Sequence, residues 1–211
     1  MRTLQTVLFF LLVTFKLMAQ DDAVSFYKSL SDSTSLRYTE LEKKLGGHFT
    51  FKDIPIDGPL NHFVDQLKKQ GFTVMKITDL DAILTGKFTG EDVHLFVQAT
   101  HKTVYGVTVI YEKETSWKSI KSKYENMKSM LTAKYGEPVE STEKFDSSYF
   151  ENSGMELYAL REEKCTFDTA YTSETGNGMI RLRISPNANL VINYIDSLNY
   201  ILLSSESFDD L

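Results

Sequence analysis

The sequence predicts an α+β domain in which a curved antiparallel sheet is packed by two main amphipathic helices. Two observations carry this prediction. Two segments, beginning near Pro59 and Ser116, place apolar residues at intervals of three and four. After each of them come runs of seven to nine residues that alternate apolar and polar side chains, separated by short turn sequences. Strands joined by short turns pair antiparallel, so we expect meanders rather than parallel strands linked by helices.

The first nineteen residues have the order of parts found in a secretion signal. Arg2 supplies a positive charge, residues 4–15 are almost all apolar, and Ala19 offers a small residue for cleavage by signal peptidase. The apolar run is shorter than the roughly 20 residues that a membrane-spanning helix needs, so we expect cleavage rather than an uncleaved anchor. No cysteine follows the run to accept a lipid. We therefore expect release into the periplasm or the medium, without a stable membrane anchor.

Removal of residues 1–19 would leave 192 of the 211 residues, a length that suits one domain with a substantial core. Residues 20–47 are polar and serine-rich, and a weak helical pattern near their end predicts a lead-in with a short helix. Residues 48–203 form the predicted α+β domain. Residues 204–211 are an acidic tail.

Charge and cysteine content exclude some classes of partner and bond. Loss of Arg2 and Lys16 with the signal leaves 21 basic against 29 acidic residues, a net charge of −8 with histidine neutral. Phosphate recognition needs a basic face, so no nucleic-acid partner is expected. Cys165 is the single cysteine and can form no intrachain disulfide. We interpret it as a small buried hydrophobe, because no neighbouring histidine or helix N-terminus indicates an activated thiol.

Both helices have recognisable ends, because small polar residues cap helix N-termini and glycine commonly follows a C-terminus. The candidate caps are Asp57 or Gly58 and Gly71 for the first helix, and Thr115 or Ser116 and Gly136 for the second.

The order of helix and strands hints at an internal repeat. A short strand over 48–56 precedes the first helix. The later strand-like runs are 72–78, 82–88, 92–99 and 103–111 after the first helix, and 144–150, 155–163, 165–171, 178–185 and 189–195 after the second. A tandem helix-plus-meander repeat would divide the domain into halves 48–112 and 113–203, with an insertion in the second half.

Residues that could carry chemistry are scattered along the chain. His48, His62, His94 and His101 include no pair at zinc-site spacing, although His94 and His101 could face each other across a hairpin. The chain contains no nucleophile elbow, phosphate-binding glycine loop or calcium-binding loop. We therefore assign no catalytic, cofactor-binding or metal-binding residue and expect no cofactor.

The second helix is basic in an otherwise acidic chain. It has two interpretations: a strip that binds a partner, or a solubilising flank whose aliphatic stems lie along the aromatic stripe. Its lysines are Lys118, Lys121, Lys123, Lys128 and Lys134, against the single acid Glu125.

The segment FKDIPIDGPLNHFVDQLKKQGF, residues 51–72, resembles a stretch found in uncharacterised secreted proteins of Bacteroidetes-type bacteria. This resemblance covers about a tenth of the chain and implies no activity. A helix followed by an antiparallel meander, taken twice, also resembles the layout of β-lactamase-inhibitor proteins, a fold that grips other proteins. That second resemblance concerns architecture, so it implies protein binding without naming residues.

These observations predict an exported, non-enzymatic protein-interaction module of the bacterial envelope, whose partner would be another envelope or secreted protein. One alternative is a small-molecule or glycan binder that uses the concave face of the sheet. Another is a hydrolase of unfamiliar type, which would need a buried histidine or carboxylate with a polar partner that orients it. The sequence indicates no oligomeric state.

Overall fold

The computed structural model describes residues 34–146, 148–201 and 203. The expected signal peptide and acidic tail lie outside these residues. The chain divides into two compact units, residues 1–44 and 45–211. The described part of the first unit belongs to helix α1 (Thr34–Leu45), which agrees with the short helix expected at the end of the lead-in. Within the described residues, no helix has both the length and the apolar character needed to cross a membrane.

The second unit is an α+β fold built on an open, eight-stranded antiparallel sheet. Its strands are β3 (Thr73–Ile77), β4 (Asp81–Phe88), β5 (Glu91–Ala99), β6 (Val104–Tyr111), β7 (Glu140–Phe145), β8 (Cys165–Thr172), β9 (Gly178–Ile184) and β10 (Leu190–Asp196). They lie in the order β3-β4-β5-β6-β10-β9-β8-β7. Each half is therefore a four-strand meander, and the last strands of the two meanders, β6 and β10, pair antiparallel at the centre.

A helix precedes each meander, as the periodicity predicted. Helix α2 (Leu60–Lys69) comes before β3 and helix α3 (Trp117–Tyr135) before β7. The Ser116 side chain accepts a hydrogen bond from the Ser119 amide and so caps α3, whereas Pro59 occupies the N-cap position of α2 and makes no such bond. The prediction that Asp57 or Gly58 caps α2 is wrong.

Three predicted strands differ in the structure. The strand predicted over 144–150 lies earlier in the chain, as β7 (Glu140–Phe145), and the two ranges share only Lys144 and Phe145. The segment 155–163, predicted as a strand, contains helix α4 (Glu156–Arg161), in which Ala159 and Leu160 are buried against the core. In so short a segment the apolar residues fit both periods, and packing decides between them. The strand predicted over 48–56 is a tight hairpin of β1 (Thr50–Phe51) and β2 (Ile54–Pro55), which turns through Lys52 and Asp53 at positive φ.

The core lies between the sheet and the two main helices, which pack against the same face. One row of facing side chains crosses the sheet from one half to the other, and its members are all fully buried. They are Leu84, Leu95, Val109, Ile192, Leu182 and Thr169. The opposite face, whose side chains point away from α2 and α3, is called the distal face below.

An aromatic ring covers a strand glycine on the core face in each half of the sheet. A β-carbon on Gly86 would enter the ring of Phe72, and one on Gly178 would enter the ring of Phe49. Only a residue without a side chain lets the ring pack directly on the strand backbone. Phe49 also packs against Tyr194, with ring centroids 6.3 Å apart.

Candidate functional site

A buried polar cluster ties the ends of the second unit together. The His48 side chain, 13% exposed, lies between two carboxylates: Nδ1 is 3.2 Å from Oδ1 of Asp196 and Nε2 is 3.5 Å from Oδ2 of Asp57. Asp196 is fully buried and also accepts hydrogen bonds from the backbone N–H groups of Phe49, at 2.7 Å, and Asn199, at 2.8 Å. We call these groups, with Thr103, the His48 cluster.

Asp57 lies on the solvent-exposed side of the cluster and accepts hydrogen bonds from several donors. The Asn199 amide nitrogen donates to it at 3.0 Å and the Thr103 hydroxyl at 2.8 Å. Burial opposes ionisation of Asp57, but the hydrogen bonds from Asn199, Thr103 and the Gly58 backbone, with the charge of His48, outweigh it and hold its pKa below the ordinary 3.8. Its stabilising contribution is present above the unfolded pKa and is lost as the pH falls through the folded one.

The arrangement of the His48 cluster fits a cross-link better than a catalytic centre. A histidine that acts as general base needs one ring nitrogen free to meet a substrate proton. In His48 both ring nitrogens face carboxylates. The side-chain amide of Asn199 also donates to the backbone oxygens of Ile56 and Val104. The cluster therefore joins the segment before α2, the start of β6 and the residues after β10. The sequence did not reveal it, because its members are distant in the chain.

The other three histidines are separate from this cluster. His94 lies on the distal face opposite Ile110 and Thr85, and its Nε2 is 3.5 Å from a Glu112 carboxylate oxygen. His101 lies in the turn after β5, so the idea that His94 and His101 face each other across a hairpin is wrong. His62 is exposed on α2. Among the described residues, no group of three or more His, Cys, Asp or Glu side chains is placed to hold a metal ion.

The distal face carries both apolar and polar side chains, and several of the polar ones are hydrogen-bonded to one another. Nε of Arg181 donates to both carboxylate oxygens of Asp168, at 2.7 and 2.8 Å, and the Asn193 amide donates to Thr108 at 2.8 Å. Phe96 stands beside Thr108 in the same row and is half-buried. Because these polar groups already bond to one another, fewer of them are available to bind a ligand.

The lysines of α3 are largely neutralised within the fold. Lys123 pairs with Glu91 and Glu114, both at 2.6 Å, and Lys121 and Lys128 both reach Glu143 on β7. Lys121 also lies over the Phe167 ring, 4.9 Å from its centroid. These pairs connect the helix to β5, to β7 and to the linker before the helix, so for these three lysines the structure favours the structural interpretation over a free partner-binding strip.

The thiol of Cys165 is buried at the start of β8, in line with its interpretation as a small hydrophobe. Burial, with a smaller effect from the charge of Asp146, raises the pKa of this thiol to about 11. Little thiolate is present at neutral pH, so Cys165 is a poor nucleophile in the folded protein.

Exposed apolar side chains cluster at the β3 edge of the sheet, and a second exposed set, Phe150, Met155 and Tyr158, lies between β7 and β8. Met75 is 61% exposed, Ile77 43% and Leu80 43%. In the part of the chain that the structure describes, β3 pairs with β4 alone, so its outer backbone groups have no strand partner. Sequence reasoning identified the strand but could not show that it lies at the edge, because strand order depends on pairings between distant segments.

A groove of about 660 Å³ runs between α2 and β3 along this edge, and we call it the edge groove. Val64 and Phe72 form apolar walls, and Asp65 and Lys68, paired at 2.9 Å, line its outer side. A β-bulge shapes its floor: the register with β4 skips Met75, so that Val74 and Ile77, three residues apart, both face the groove.

No protein-family model, curated protein or solved structure matches this chain significantly.

Proposed function

We propose that this protein is an exported, non-enzymatic interaction module that binds another envelope or secreted protein at the β3 edge of its sheet. The observation that carries the proposal is the exposed apolar side chains of the edge strand beside an apolar-lined groove. An isolated exposed apolar residue is ordinary, but a cluster on one edge typically marks an interaction site. The layout of helix and meander taken twice supports the same class of function by analogy alone.

The alternative of a small-molecule or glycan binder on the concave face of the sheet has less support from the side chains of the distal face. The edge groove is lined by α2 and β3, with its apolar walls on the core side of the sheet. The polar side chains of Arg181, Asp168, Asn193 and Thr108 are already bonded in pairs. A hydrolase is disfavoured by the occupied ring nitrogens of His48.

Export is the first part of the proposal to test. When the full chain is expressed in a Gram-negative host, we expect the mature protein to begin at Gln20 and to appear in the periplasm or the medium. Intact-mass measurement and N-terminal sequencing of the fractionated protein check this. A protein that retains Met1, or that stays with the membrane pellet after carbonate washing, would contradict it.

Binding at the β3 edge is tested by site-specific photo-cross-linking in producing cells. A photoreactive amino acid at Met75 is expected to give a discrete adduct with a second protein, because this side chain is 61% exposed at the centre of the edge. The matched control places the same group at Lys144, on the opposite edge strand β7. Mass spectrometry of the adduct identifies the cross-linked peptide.

Equal labelling at Met75 and Lys144 would show that the adducts report random collisions, and the proposal would fail. An adduct made only with a second copy of this chain would replace the proposal by self-association. A cross-link from Met75 to the chain's own residues 20–33 would show that the edge is covered from within.

A further inference from the structure

We infer that the partner contributes an extended, acidic segment that adds to β3 as a ninth strand and places alternate side chains in the edge groove. The inference rests on the proposed function and specifies its mode. Three independent features of the β3 edge support it: its backbone, its bulge and its charge.

The backbone of an edge strand presents alternating N–H and C=O groups outward. An extended segment satisfies these groups in a regular ladder, whereas the backbone of a helix is already bonded to itself. In the described part of the chain, β3 has β4 on one side and no strand on the other. Its exposed residues therefore offer a template that selects an extended backbone.

The bulge at Met75 shapes the part of the edge groove that could receive side chains of the partner. It turns both Val74 and Ile77 toward the edge groove, whose walls are Val64 and Phe72. In an added strand, every second side chain points to the same face as these residues. One or two apolar side chains of the partner would thus enter the groove while its backbone pairs with β3.

Charge indicates the composition of the partner. The two elements that line the edge groove, α2 and β3, carry three lysines against one aspartate, a local net of +2 in a protein of net −6, and Asp79 and Asp81 follow in the turn to β4. Lys68 lies on the groove side of β3, and Lys76, which pairs with Ile83, lies on the distal side. Both are exposed, and the pair of Lys68 with Asp65 is open to solvent and therefore weak, so acidic side chains on either face of an added strand would meet a lysine.

The same charges disfavour a second copy as the occupant. Antiparallel pairing of two β3 strands would set the lysines of one copy against those of the other. A lysine and a bulge in an edge strand are also recognised means of hindering edge-to-edge association, so any added strand must accommodate both. A partner with acidic residues avoids this repulsion.

The test begins with a phage-displayed library of random twelve-residue peptides selected against the full chain. We expect enrichment of peptides that alternate apolar residues with Asp or Glu. The best peptide is then synthesised in three forms: unmodified, and N-methylated on one or the other set of alternate amides. Pairing with β3 uses a single edge of the peptide, so one methylated form should bind roughly tenfold or more weakly, because two or three backbone hydrogen bonds are lost. The other form should bind like the parent.

Charge is tested with matched protein variants in fluorescence-anisotropy titrations. The triple variant Lys68→Glu, Lys69→Glu and Lys76→Glu is expected to lose binding of the acidic peptide, whereas Lys144→Glu on the opposite edge should bind like the native chain. All four lysines are exposed, so the fold should be preserved, and circular dichroism checks this. Hydrogen exchange should show new protection of the β3 amides when the peptide is bound.

Several results would overturn the inference. These are a failure to enrich any peptide, enrichment of basic or neutral peptides, equal weakening by both methylated sets, and binding that survives the charge reversal. If Met75 still cross-links to another protein while the peptide experiments fail, the interaction function stands and only the added-strand mode is lost. If Met75 and the peptides both fail, the binding site itself is wrong.

Discussion

Replacement of Asp196 by alanine is expected to lower the free energy of unfolding by roughly 3–5 kcal/mol, because several buried donors lose their acceptor at about 1–3 kcal/mol for each unsatisfied group. The carboxylate is fully buried and accepts from the amides of Phe49 and Asn199 while facing the His48 ring. Alanine would leave two buried N–H donors and a buried imidazole without their acceptor. Urea denaturation followed by circular dichroism measures the change.

Two further variants separate this effect from a general sensitivity to lost charge. Asp196→Asn keeps one acceptor oxygen and should cost less than the alanine variant. Asp92→Asn removes a carboxylate whose pair with Lys87 is open to solvent, and it should leave the unfolding midpoint nearly unchanged. If Asp196→Ala were no more destabilising than Asp92→Asn, the His48 cluster would not be the cross-link described above.

Gly178→Ala is expected to destabilise the protein by roughly 1–3 kcal/mol, the usual cost of overpacking a core. The new β-carbon would fall inside van der Waals distance of the Phe49 ring. That ring cannot move away freely, because it also packs against Tyr135 and Tyr194, with centroids 6.2 and 6.3 Å away. A thermal melt of the variant should show a lowered midpoint.

The matched control is Gly106→Ala, another strand glycine, whose added β-carbon would meet its nearest atom, a Gln98 side-chain oxygen, at 3.4 Å. This change should cost clearly less. In the double variant Gly178→Ala with Phe49→Leu, the clash should be partly relieved, so the two costs should not add. Additive costs would show that Phe49 is not the group that excludes a side chain at Gly178.

Much of the fold could be predicted because local periodicity and tertiary packing agree. The stripe of α3, capped by Ser116 and closed by Gly136, and the alternation of β5 correspond to elements in the structure. Prediction failed where one pattern fits two structures. Residues 155–163 fit both a strand and the helix α4, and only burial of Ala159 and Leu160 against the core decides.

The candidate site was harder to predict than the fold, for a physical reason. The His48 cluster joins residues up to 151 positions apart, and no local pattern links His48 to Asp196 or Asn199. The strand at Thr73–Ile77 was identifiable from its composition, but its place at the sheet edge follows from the pairing of β6 with β10 in the centre. Pairings of that range are not encoded in a single segment.

The position of β10 also constrains how the molecule can be assembled. The last strand in the described part of the chain lies in the middle of the sheet, where it pairs with both β6 and β9. Val109 and its partner Ile192 are 83 residues apart in the chain, so this contact closes a long loop and is expected to form slowly. Until β10 is in place, each meander exposes a long apolar edge that can pair with the wrong strand. The strand Leu190–Asp196 thus decides when the two halves become one sheet, and a chain truncated before Leu190 would leave the two parts of the sheet unjoined.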